Sequence, residues 1–470
     1  MIVRTRFAPS PTGYMHIGNL RSALYNFLIS KSLNGKFILR IEDTDQKRKI
    51  EGAEKIIYDT LKTTGLIYDE GPDVGGDFGP YIQSERKSMY LKYAEQLVES
   101  KNAYYCFCEK KDETTSEKVE CKCHDLSDET VKNFLLERKN YVIRQFIPKE
   151  GSTSFDDLVF GHVEIQNSEL EDQILIKSDG MPTYNFANVI DDHLMNITHV
   201  VRGCEYLSAT PKYNLLYKSF GWKIPTYIHL PLIMGKNPDG TVTKLSKRAG
   251  AVSFVDLLDE GYLPESIINY IAFLGWCPNS NNEIFSLSDL EKEFSIENIG
   301  KSPSIFDYEK LDWINEQHIK MKSDDEFAEI IEKYVDFNID IKKLARILKP
   351  RVSKLNQIPD MIGFFSKLDD FDKQIFINKK NKTSEENIPN ILKESISALE
   401  SLENWDNDSL FKCLSDLSAS LGLKKNAIMW VVRIAISGQE VTPGGATEIL
   451  EILGKNESLS RLRKSLELWN

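Results

Sequence analysis

The sequence lacks any uninterrupted apolar run long enough to cross a membrane. A membrane helix needs roughly 18 or more such residues, and the best candidate, Ala427 to Ile436, is broken by Arg433. The start of the chain, Met1 to Phe7, also lacks the basic segment, apolar core and small-residue cleavage site of a signal peptide. We therefore expect a cytoplasmic protein with no membrane partner.

A surplus of positive charge is also missing. The 470 residues include 59 Lys and Arg against 71 Asp and Glu, so the formal net charge is -12. Nucleic acids bind where Lys and Arg gather, and one such place is the run from Lys342 to Lys354, which has six basic residues and no acidic one. Two interpretations stay open for this run: a solvated helix face or a contact with phosphates.

Length and apolar content limit the class of protein. A chain of 470 residues is longer than one hydrophobic core usually organises, which predicts about two to four domains. An apolar share of 41% excludes a wholly disordered chain, because enough surface can be buried to offset the ordering of the backbone.

Local patterns predict a strand-helix-strand unit at the start of the chain. Ile2 to Phe7 is rich in strand-forming residues, and the turn-forming segment Ala8 to Gly13 (APSPTG) follows it. A helix is expected from Asn19 to about Ser30, and a buried strand from Lys36 to Glu42. The helix prediction rests on apolar residues that recur on one face: Leu20, Ala23, Leu24, Phe27 and Leu28. Parallel sheets of this kind bind ligands at the carboxyl ends of their strands.

The rest of the chain separates into a mixed part and a helical part. Apolar runs from Thr198 to Val201 and from Thr226 to Ile233 are expected to complete the sheet. Helical periodicity dominates from about Lys322 onward, so the main domain boundary is placed there.

Two short motifs suit nucleotide chemistry. His16-Ile17-Gly18-Asn19 stands where the loop enters the predicted helix, and helix-start N–H groups, a glycine and an imidazole can all approach a phosphate closely. Lys244-Leu245-Ser246-Lys247-Arg248 offers three cations that can neutralise a departing pyrophosphate. Taken singly, the first motif also fits a plain capped helix, and the second also fits a surface basic cluster.

Together, the two motifs resemble the paired signatures of class I aminoacyl-tRNA synthetases. Asn19 stands where histidine is usual in the first signature, at a position that varies in the glutamyl branch. The final third is similar in length and helical character to the bacterial helical anticodon-binding region. Further segments look like the glutamyl branch: Arg6 to Gly13 (RFAPSPTG), Arg40 to Asp45 (RIEDTD), Gln83 to Arg86 (QSER) and Phe306 to Trp313 (FDYEKLDW).

The resemblance implies an α/β fold with a Rossmann-like parallel-sheet catalytic domain, an inserted zinc-bearing α/β subdomain and a following all-α anticodon-binding region. The expected limits are 1–321 for the catalytic region and 322–470 for the helical region. Within the first, the Rossmann-like halves are expected at about 1–85 and 190–250. The acceptor-binding insert is expected at about 86–189, and a stem-contact region at about 251–321.

The reaction implied by the resemblance is ATP-dependent activation of L-glutamate, followed by transfer of the glutamyl group to the 3′ end of tRNA(Glu). The expected partners are therefore ATP, L-glutamate and tRNA(Glu), and Mg²⁺ is expected to accompany the ATP. We expect the chain to act as a monomer.

The same resemblance implies a set of glutamate-binding residues. Arg6 and Arg202 are expected to bind the side-chain carboxylate, because a guanidinium can donate to two oxygens at once. Glu42 is expected to bind the substrate ammonium. Tyr184, Asn188 and Ser10 are expected to complete the pocket. A competing interpretation is that Arg6 and Glu42, on neighbouring strands, form a structural salt bridge with each other.

The ATP-binding residues implied by the resemblance come from the two signatures. They are His16, Gly18, Asn19, Lys244, Ser246 and Lys247. Three of them, His16, Lys244 and Lys247, are expected to act in catalysis through contacts with the phosphates.

A group of cysteines predicts a structural zinc site. The sequence contains seven cysteines, and four of them lie at Cys106, Cys108, Cys121 and Cys123. In a reducing compartment such clustering favours a metal over disulfides, and four thiolates suit tetrahedral Zn²⁺. His124 could replace one of the second pair, and metal-free reduced thiols are the alternative. A zinc-binding insert of this kind occurs in some members of the glutamyl branch.

Other functions compatible with these motifs remain. One is a nondiscriminating enzyme that also charges tRNA(Gln), and another is a transferase acting on a modified tRNA base, which normally lacks a helical tail. A small-molecule nucleotidyltransferase shares the His-x-Gly helix entry but lacks the RIEDTD segment. A zinc-bearing RNA-binding protein without enzymatic activity is the remaining alternative.

Overall fold

The computed structural model describes residues 2–46, 50–108, 121–237, 239–245 and 253–469. Contacts divide the chain into two units. The first contains Met1–Leu258 and Pro264–Leu311, and the second contains Asp259–Leu263 and Asp312–Asn470. The domain limits expected from the sequence, 1–321 and 322–470, remain a prediction. Across the described ranges, every helix is too short or too polar to span a bilayer.

Twelve strands lie in the described part of the first unit. They are β1 (Arg4–Phe7), β2 (Lys36–Leu39), β3 (Ala103–Cys106), β4 (Val142–Gln145), β5 (Ser152–Asp157), β6 (Gly161–Gln166), β7 (Ile174–Ile176), β8 (His199–Gly203), β9 (Thr226–Leu230), β10 (Ile233–Lys236), β11 (Val242–Lys244) and β12 (Ser304–Ile305).

Helices in chain order accompany these strands, and the last of them continues from the first unit into the second. They are α1 (Ile17–Ser32), α2 (Ala53–Thr63), α3 (Lys87–Glu99), α4 (Asp128–Leu136), α5 (Tyr184–Leu194), α6 (Thr210–Ser219), α7 (Phe254–Asp259), α8 (Pro264–Ala272), α9 (Leu287–Glu293) and α10 (Tyr308–Met321).

The predicted strand-helix-strand unit is confirmed. β1 and β2 pair in parallel, with Arg6 opposite Ile38, and all five apolar residues that predicted α1 are buried. The second strand ends at Leu39, three residues before the expected end. The regular ladder stops there because Pro9 has no N–H to continue it, although the N–H groups of Arg40 and Glu42 still donate to the Phe7 and Pro9 carbonyls at 3.0 Å each.

The strands predicted further along the chain belong to a four-stranded sheet. Its order is β6-β5-β9-β8, and β8 and β9 pair in parallel. The chain lies beside β1 just before β8, because the Thr198 N–H donates to the Arg4 carbonyl at 3.0 Å. The carboxyl ends of β1, β2, β8 and β9 therefore face one region, as expected for a parallel sheet. The insert forms a separate antiparallel sheet, in the order β3-β4-β7.

The second unit is helical in its described part, as predicted. Its helices are α11 (Asp324–Ile331), α12 (Ile341–Leu348), α13 (Ile358–Ser366), α14 (Ile388–Glu400), α15 (Asn407–Ser420), α16 (Lys425–Ser437), α17 (Ala446–Leu453) and α18 (Lys455–Glu467). Trp405 and Trp430 pack against its apolar core. Each indole N–H donates to a backbone carbonyl, of Leu450 at 2.8 Å and of Phe376 at 3.0 Å respectively.

Carboxylates of the same unit balance most of the basic run from Lys342 to Lys354. Asp324 lies 2.5 Å from the Lys349 ammonium and 3.3 Å from the Arg346 guanidinium. Asp325, Glu451 and Asp312 pair with the other three lysines of the run, at 2.7, 3.1 and 3.6 Å. Exposed pairs of this kind contribute little to stability and can rearrange, so a phosphate contact here remains a prediction.

A buried carboxylate fastens the first strand to the segment beyond α2. Both Glu70 oxygens accept hydrogen bonds from the Arg4 guanidinium, at 2.8 Å each. The Tyr81 hydroxyl donates to Glu70 at 2.7 Å, and the Lys36 ammonium lies 3.1 Å away. Hydrogen bonds from Arg4 are the main cause that lowers the pKa of Glu70 from 4.5 to about 2.

We predict that Glu70→Gln lowers the free energy of unfolding by roughly 1–3 kcal/mol at pH 7, since it leaves the buried Arg4 without its counter-charge. A carboxylate with a depressed pKa stabilises the fold above its ordinary pKa, and this contribution is lost as the pH falls toward about 2. The difference from the wild type should therefore be constant from pH 8 to about 5.5 and shrink only below about 4.5. Urea unfolding across this pH range measures it.

The matched control for Glu70→Gln is Glu95→Gln, because Glu95 is exposed on α3. Surface substitutions of this kind change stability by less than about 0.5 kcal/mol. Equal stabilities for the two variants at pH 7 would contradict the role given to Glu70.

Candidate functional site

A carboxylate from α5 holds two arginines at the carboxyl ends of β1 and β2. Asp192 Oδ1 accepts hydrogen bonds from Arg6 Nε at 2.9 Å and from Arg40 Nη1 at 2.7 Å. All three side chains are buried. Burial acts to raise the pKa of Asp192, but the charges of Arg6 and Arg40 outweigh it and keep the pKa below its usual value. The carboxylate therefore stays ionised between the two cations.

Glu42 has one oxygen engaged and one available. Its Oε1 accepts from Arg40 Nη2 at 2.8 Å and from Gln83 Nε2 at 3.4 Å. Within the described residues, Oε2 accepts no hydrogen bond. Burial is the main cause that raises the pKa of Glu42, and Arg40 opposes it. Arg6 and Glu42 do not pair with each other among the described side chains, so the competing interpretation of a direct salt bridge finds no support.

Arg202, near the end of β8, is held on one edge of its guanidinium by neutral groups. Its Nε donates to His229 Nε2 at 3.2 Å, and its Nη2 donates to Thr210 Oγ1 at 2.7 Å. Three tyrosine rings, those of Tyr206, Tyr213 and Tyr227, lie 4.8 to 5.6 Å from its central carbon. Within the described part of the chain, Nη1 has no acceptor and the guanidinium has no carboxylate partner.

Tyr184, the first of the two predicted residues of α5, lies near both Glu42 and Arg202. Tyr184 and Asn188 stand one turn apart, and the Asn188 side chain donates to the Tyr184 carbonyl at 2.8 Å. Burial, followed by the nearby Glu42 carboxylate, raises the pKa of Tyr184 well above its ordinary value, so the hydroxyl keeps its proton and can donate. Ser10 is exposed in the loop after β1, and the described contacts do not bring its side chain to the other predicted residues.

A second buried carboxylate supports the first. Asp191 accepts from Arg86 Nε at 2.7 Å, from Gln83 Nε2 at 2.8 Å and from the Tyr90 hydroxyl at 2.8 Å. Gln83 donates to both Asp191 and Glu42. The QSER segment is therefore hydrogen-bonded to the carboxylate that lines the pocket.

The described residues of the two signature motifs, except Ile17, line one cavity of about 220 Å³. His16, Gly18 and Asn19 come from the start of α1, and Lys244 comes from the end of β11. His16 caps the helix, because its Nδ1 accepts from the Gly18 N–H at 3.3 Å. A neutral ring in this arrangement carries its proton on Nε2. Ser246 and Lys247 lie outside the described residues.

The four cysteines predicted to bind zinc are gathered in the insert. The Sγ atoms of Cys106, Cys108, Cys121 and Cys123 all lie within 4.8 Å of one another. The closest pairs are 3.4 to 3.6 Å apart, near the roughly 3.8 Å that tetrahedral Zn–S bonds of about 2.3 Å require. His124 is not part of this cluster, because its Nδ1 faces the Cys121 carbonyl at 3.1 Å.

Several residues of the site were not predicted. Asp192, Asp157, Thr210 and His229 belong to no motif, and the partners of all but Thr210 are distant in the sequence. One available sign was the pair Asp191-Asp192 inside an otherwise apolar helix segment, since buried carboxylates need cationic partners.

The unpaired polar groups of the pocket favour a particular kind of ligand. The pocket offers a carboxylate oxygen, a phenol hydroxyl and a guanidinium edge that no described protein group uses. Buried charges and polar groups require partners. A ligand with one ammonium group and carboxylates would supply those partners, and the cavity beside α1 can hold a phosphate-bearing molecule.

Two family profiles match this chain. The family described as tRNA synthetases class I (E and Q), catalytic domain, matches residues 2–313. The profile described as anticodon binding domain matches residues 326–466.

Similar proteins align with this chain over nearly the full length of both sequences. The glutamate–tRNA ligase of Clostridium novyi is 53% identical over 479 residues, which cover 99% of this chain and 98% of the relative. That of Clostridium acetobutylicum is 51% identical over 480 residues, with the same coverage of 99% and 98%. A crystal structure of a glutamate tRNA ligase from Elizabethkingia meningosepticum, in complex with its amino acid, has a TM-score of 0.90 and 33% identity and covers 100% of both chains.

We predict that Asp192→Asn lowers the free energy of unfolding by roughly 3–5 kcal/mol, because it leaves Arg6 and Arg40 buried without the charge between them. Urea unfolding at pH 7 measures the loss. Asp59→Asn is the control, since Asp59 is exposed on α2. A loss for Asp192→Asn no larger than that of the control would show that Asp192 does not balance the two arginines.

Proposed function

This chain belongs to the class I tRNA synthetases for glutamate and glutamine, and from that premise we propose that it is a glutamate–tRNA ligase whose selectivity for glutamate depends on Arg202. The observation that carries the proposal is the buried Arg202 guanidinium, which has neutral partners on one edge and none on the other within the described residues. A carboxylate is the ligand that such a free edge binds best.

The remaining groups of glutamate have partners in the same pocket. The unused oxygen of Glu42 binds the substrate ammonium, and the arriving cation favours the ionised form of this buried carboxyl. Arg6, Tyr184 and Asn188 contribute hydrogen bonds around the substrate. Ser10, which is exposed in the loop after β1, is proposed as a further contact on the motif alone. Glutamine lacks the negative charge of the glutamate side chain, so it leaves Arg202 without a counter-ion.

ATP binds beside the glutamate, in the cavity at the start of α1. His16, Gly18 and Asn19 contact phosphates with an imidazole, backbone N–H groups and an amide, and Lys244, Ser246 and Lys247 hold the departing pyrophosphate. Mg²⁺ accompanies the ATP and is coordinated largely by phosphate oxygens and water.

Catalysis then depends on positioning and charge stabilisation, without a protein nucleophile. The α-carboxylate of glutamate attacks the α-phosphorus of ATP and forms glutamyl-adenylate with release of pyrophosphate. The terminal ribose hydroxyl of tRNA(Glu) then attacks the adenylate carbonyl and releases AMP. The helical unit recognises the anticodon arm, and the reaction takes place in the cytoplasm.

The insert holds a structural Zn²⁺. Its ligands are Cys106, Cys108, Cys121 and Cys123, because these four thiols are gathered at the spacing of a tetrahedral site. The ion would join β3 to the segment that follows Cys121 and would take no part in the reaction.

The activity is tested by charging of purified tRNA(Glu) and tRNA(Gln) with radiolabelled glutamate, and by ATP–pyrophosphate exchange with and without tRNA. We expect charging of tRNA(Glu), and exchange that depends on tRNA. Charging of tRNA(Gln) as well would identify a nondiscriminating enzyme. No charging of either acceptor would refute the proposed function.

We predict that Arg202→Gln lowers kcat/KM for glutamate at least about 100-fold, because it removes the charge that pairs with the substrate carboxylate. The KM for ATP should change by less than about threefold, since ATP makes no contact with this edge. Arg463→Gln is the control, because Arg463 is exposed on α18. Equal losses of glutamate and ATP affinity would contradict the specific role of Arg202.

We predict that the purified chain contains one zinc per molecule and that Cys108→Ser and Cys121→Ser each lose it. Mass spectrometry of metal content measures the stoichiometry, and circular dichroism with chelator measures the effect on folding. Cys277→Ser is the control, because Cys277 is an exposed cysteine outside the cluster. Loss of zinc from Cys277→Ser, or its retention in both cluster variants, would place the metal elsewhere.

A further inference from the structure

His229 lies directly behind the arginine that binds the substrate. Arg202 and His229 are paired positions on the adjacent parallel strands β8 and β9. Both side chains are buried, and His229 has no exposed surface. The hydrogen bond from Arg202 Nε to His229 Nε2, 3.2 Å long, fills the inner edge of the guanidinium together with Thr210.

The partners of His229 determine its protonation. Its Nδ1 lies 2.7 Å from Asp157 Oδ2, and a carboxylate can only accept, so Nδ1 carries a proton. The guanidinium of Arg202 can only donate, so Nε2 carries none. His229 is therefore a neutral imidazole of a single tautomer. Burial is the main cause that lowers its pKa; the hydrogen bond to Asp157 opposes this effect, and the charge of Arg202 adds to it.

The Asp157 carboxylate is anchored by other donors, so it does not cancel the charge of Arg202 directly. Besides the imidazole, its oxygens accept the backbone N–H groups of His229 at 3.0 Å, Val159 at 2.9 Å and Phe160 at 2.8 Å. Asp157 ends β5 and lies behind the ring, away from the guanidinium. Asp157 thus orients the imidazole, and the imidazole orients Arg202. The ring also separates the negative charge of Asp157 from the guanidinium.

On the premise of the proposed function, we propose that His229 is a positioning residue for glutamate: as a neutral acceptor oriented by Asp157, it fixes the Arg202 guanidinium with its outer edge toward the substrate carboxylate. The contrast with Arg6 supports this assignment. The Asp192 carboxylate neutralises Arg6 by direct contact, whereas the partners of Arg202 are uncharged and leave its charge for the ligand.

The kinetic test compares two replacements of equal length. His229→Gln keeps an acceptor near the Nε2 position, and His229→Met has the same shape but no comparable acceptor. We expect His229→Met to raise the KM for glutamate about tenfold or more, while kcat and the KM for ATP change by less than about threefold. His229→Gln should recover most of the lost glutamate affinity. His162→Met is the control, because His162 is exposed on β6.

Two results would overturn the assignment. Equal kinetic constants for His229→Gln and His229→Met would show that an acceptor at this position has no role. A loss confined to kcat, with an unchanged KM for glutamate, would show that the residue does not act through substrate binding. If His229→Met fails to fold, Thr210→Val and Thr210→Ser provide the same comparison for the second acceptor. Thr210→Val should lose glutamate affinity, by less than is expected for His229→Met, and Thr210→Ser should not.

A measurement on the wild type separates this proposal from the proposed function. Nitrogen-15 spectra of the seven histidines, with the His229 signal assigned by its absence in His229→Gln, should show a neutral ring protonated at Nδ1 at pH 7. A charged ring or the opposite tautomer would refute the positioning role even if glutamate is charged normally. If the enzyme attaches no glutamate to tRNA, the proposed function is refuted. The spectrum still tests the hydrogen bond between Asp157 and His229 in that case.

Discussion

Three arginines, Arg6, Arg40 and Arg202, are buried near the carboxyl ends of the strands, and the groups around them determine how their charges are compensated. Asp192 stands between Arg6 and Arg40 and contacts both at less than 3 Å. Glu42 pairs with Arg40 on its other side. Removing Asp192 would leave the buried Arg6 without a carboxylate partner among the described residues, which is among the most costly defects a core can have. The position of α5, which carries Asp192, is thus tied to both β1 and the chain beyond β2.

The sequence predicted those parts of the fold that local patterns control. Five apolar residues on one face were enough to predict α1, and the order of strand, turn and helix was enough to predict a parallel unit with its ligand edge. Boundaries were less accurate. The second strand was expected to reach Glu42, but the regular ladder ends at Leu39, because Pro9 has no N–H to continue the pairing. Single hydrogen bonds from Arg40 and Glu42 to the β1 side persist beyond it.

Long-range partners were the part that the sequence could not reveal. Asp192 is 186 residues from Arg6, and Asp157 is 72 residues from His229, so only the completed sheet brings them together. The basic run from Lys342 onward illustrates the same point. Its cations are paired with carboxylates outside the run, including Asp324, which no count of neighbouring charges could anticipate. The roles of Ser246 and Lys247, outside the described residues, stay predictions from the motif.

The three arginines also show why stability and binding draw on different partners. A carboxylate in the place of His229 would hold Arg202 more firmly, because charge-assisted hydrogen bonds are about twice as strong as neutral ones. It would also neutralise the only guanidinium of the three that has no anionic contact in the described structure. A neutral imidazole is the weaker support, but it leaves the positive charge for a ligand to compensate. Sites commonly retain such incompletely compensated groups at some cost to the free energy of unfolding. On the proposed function, Arg202 is the residue that bears this cost, and it is also the residue that distinguishes a carboxylate from an amide.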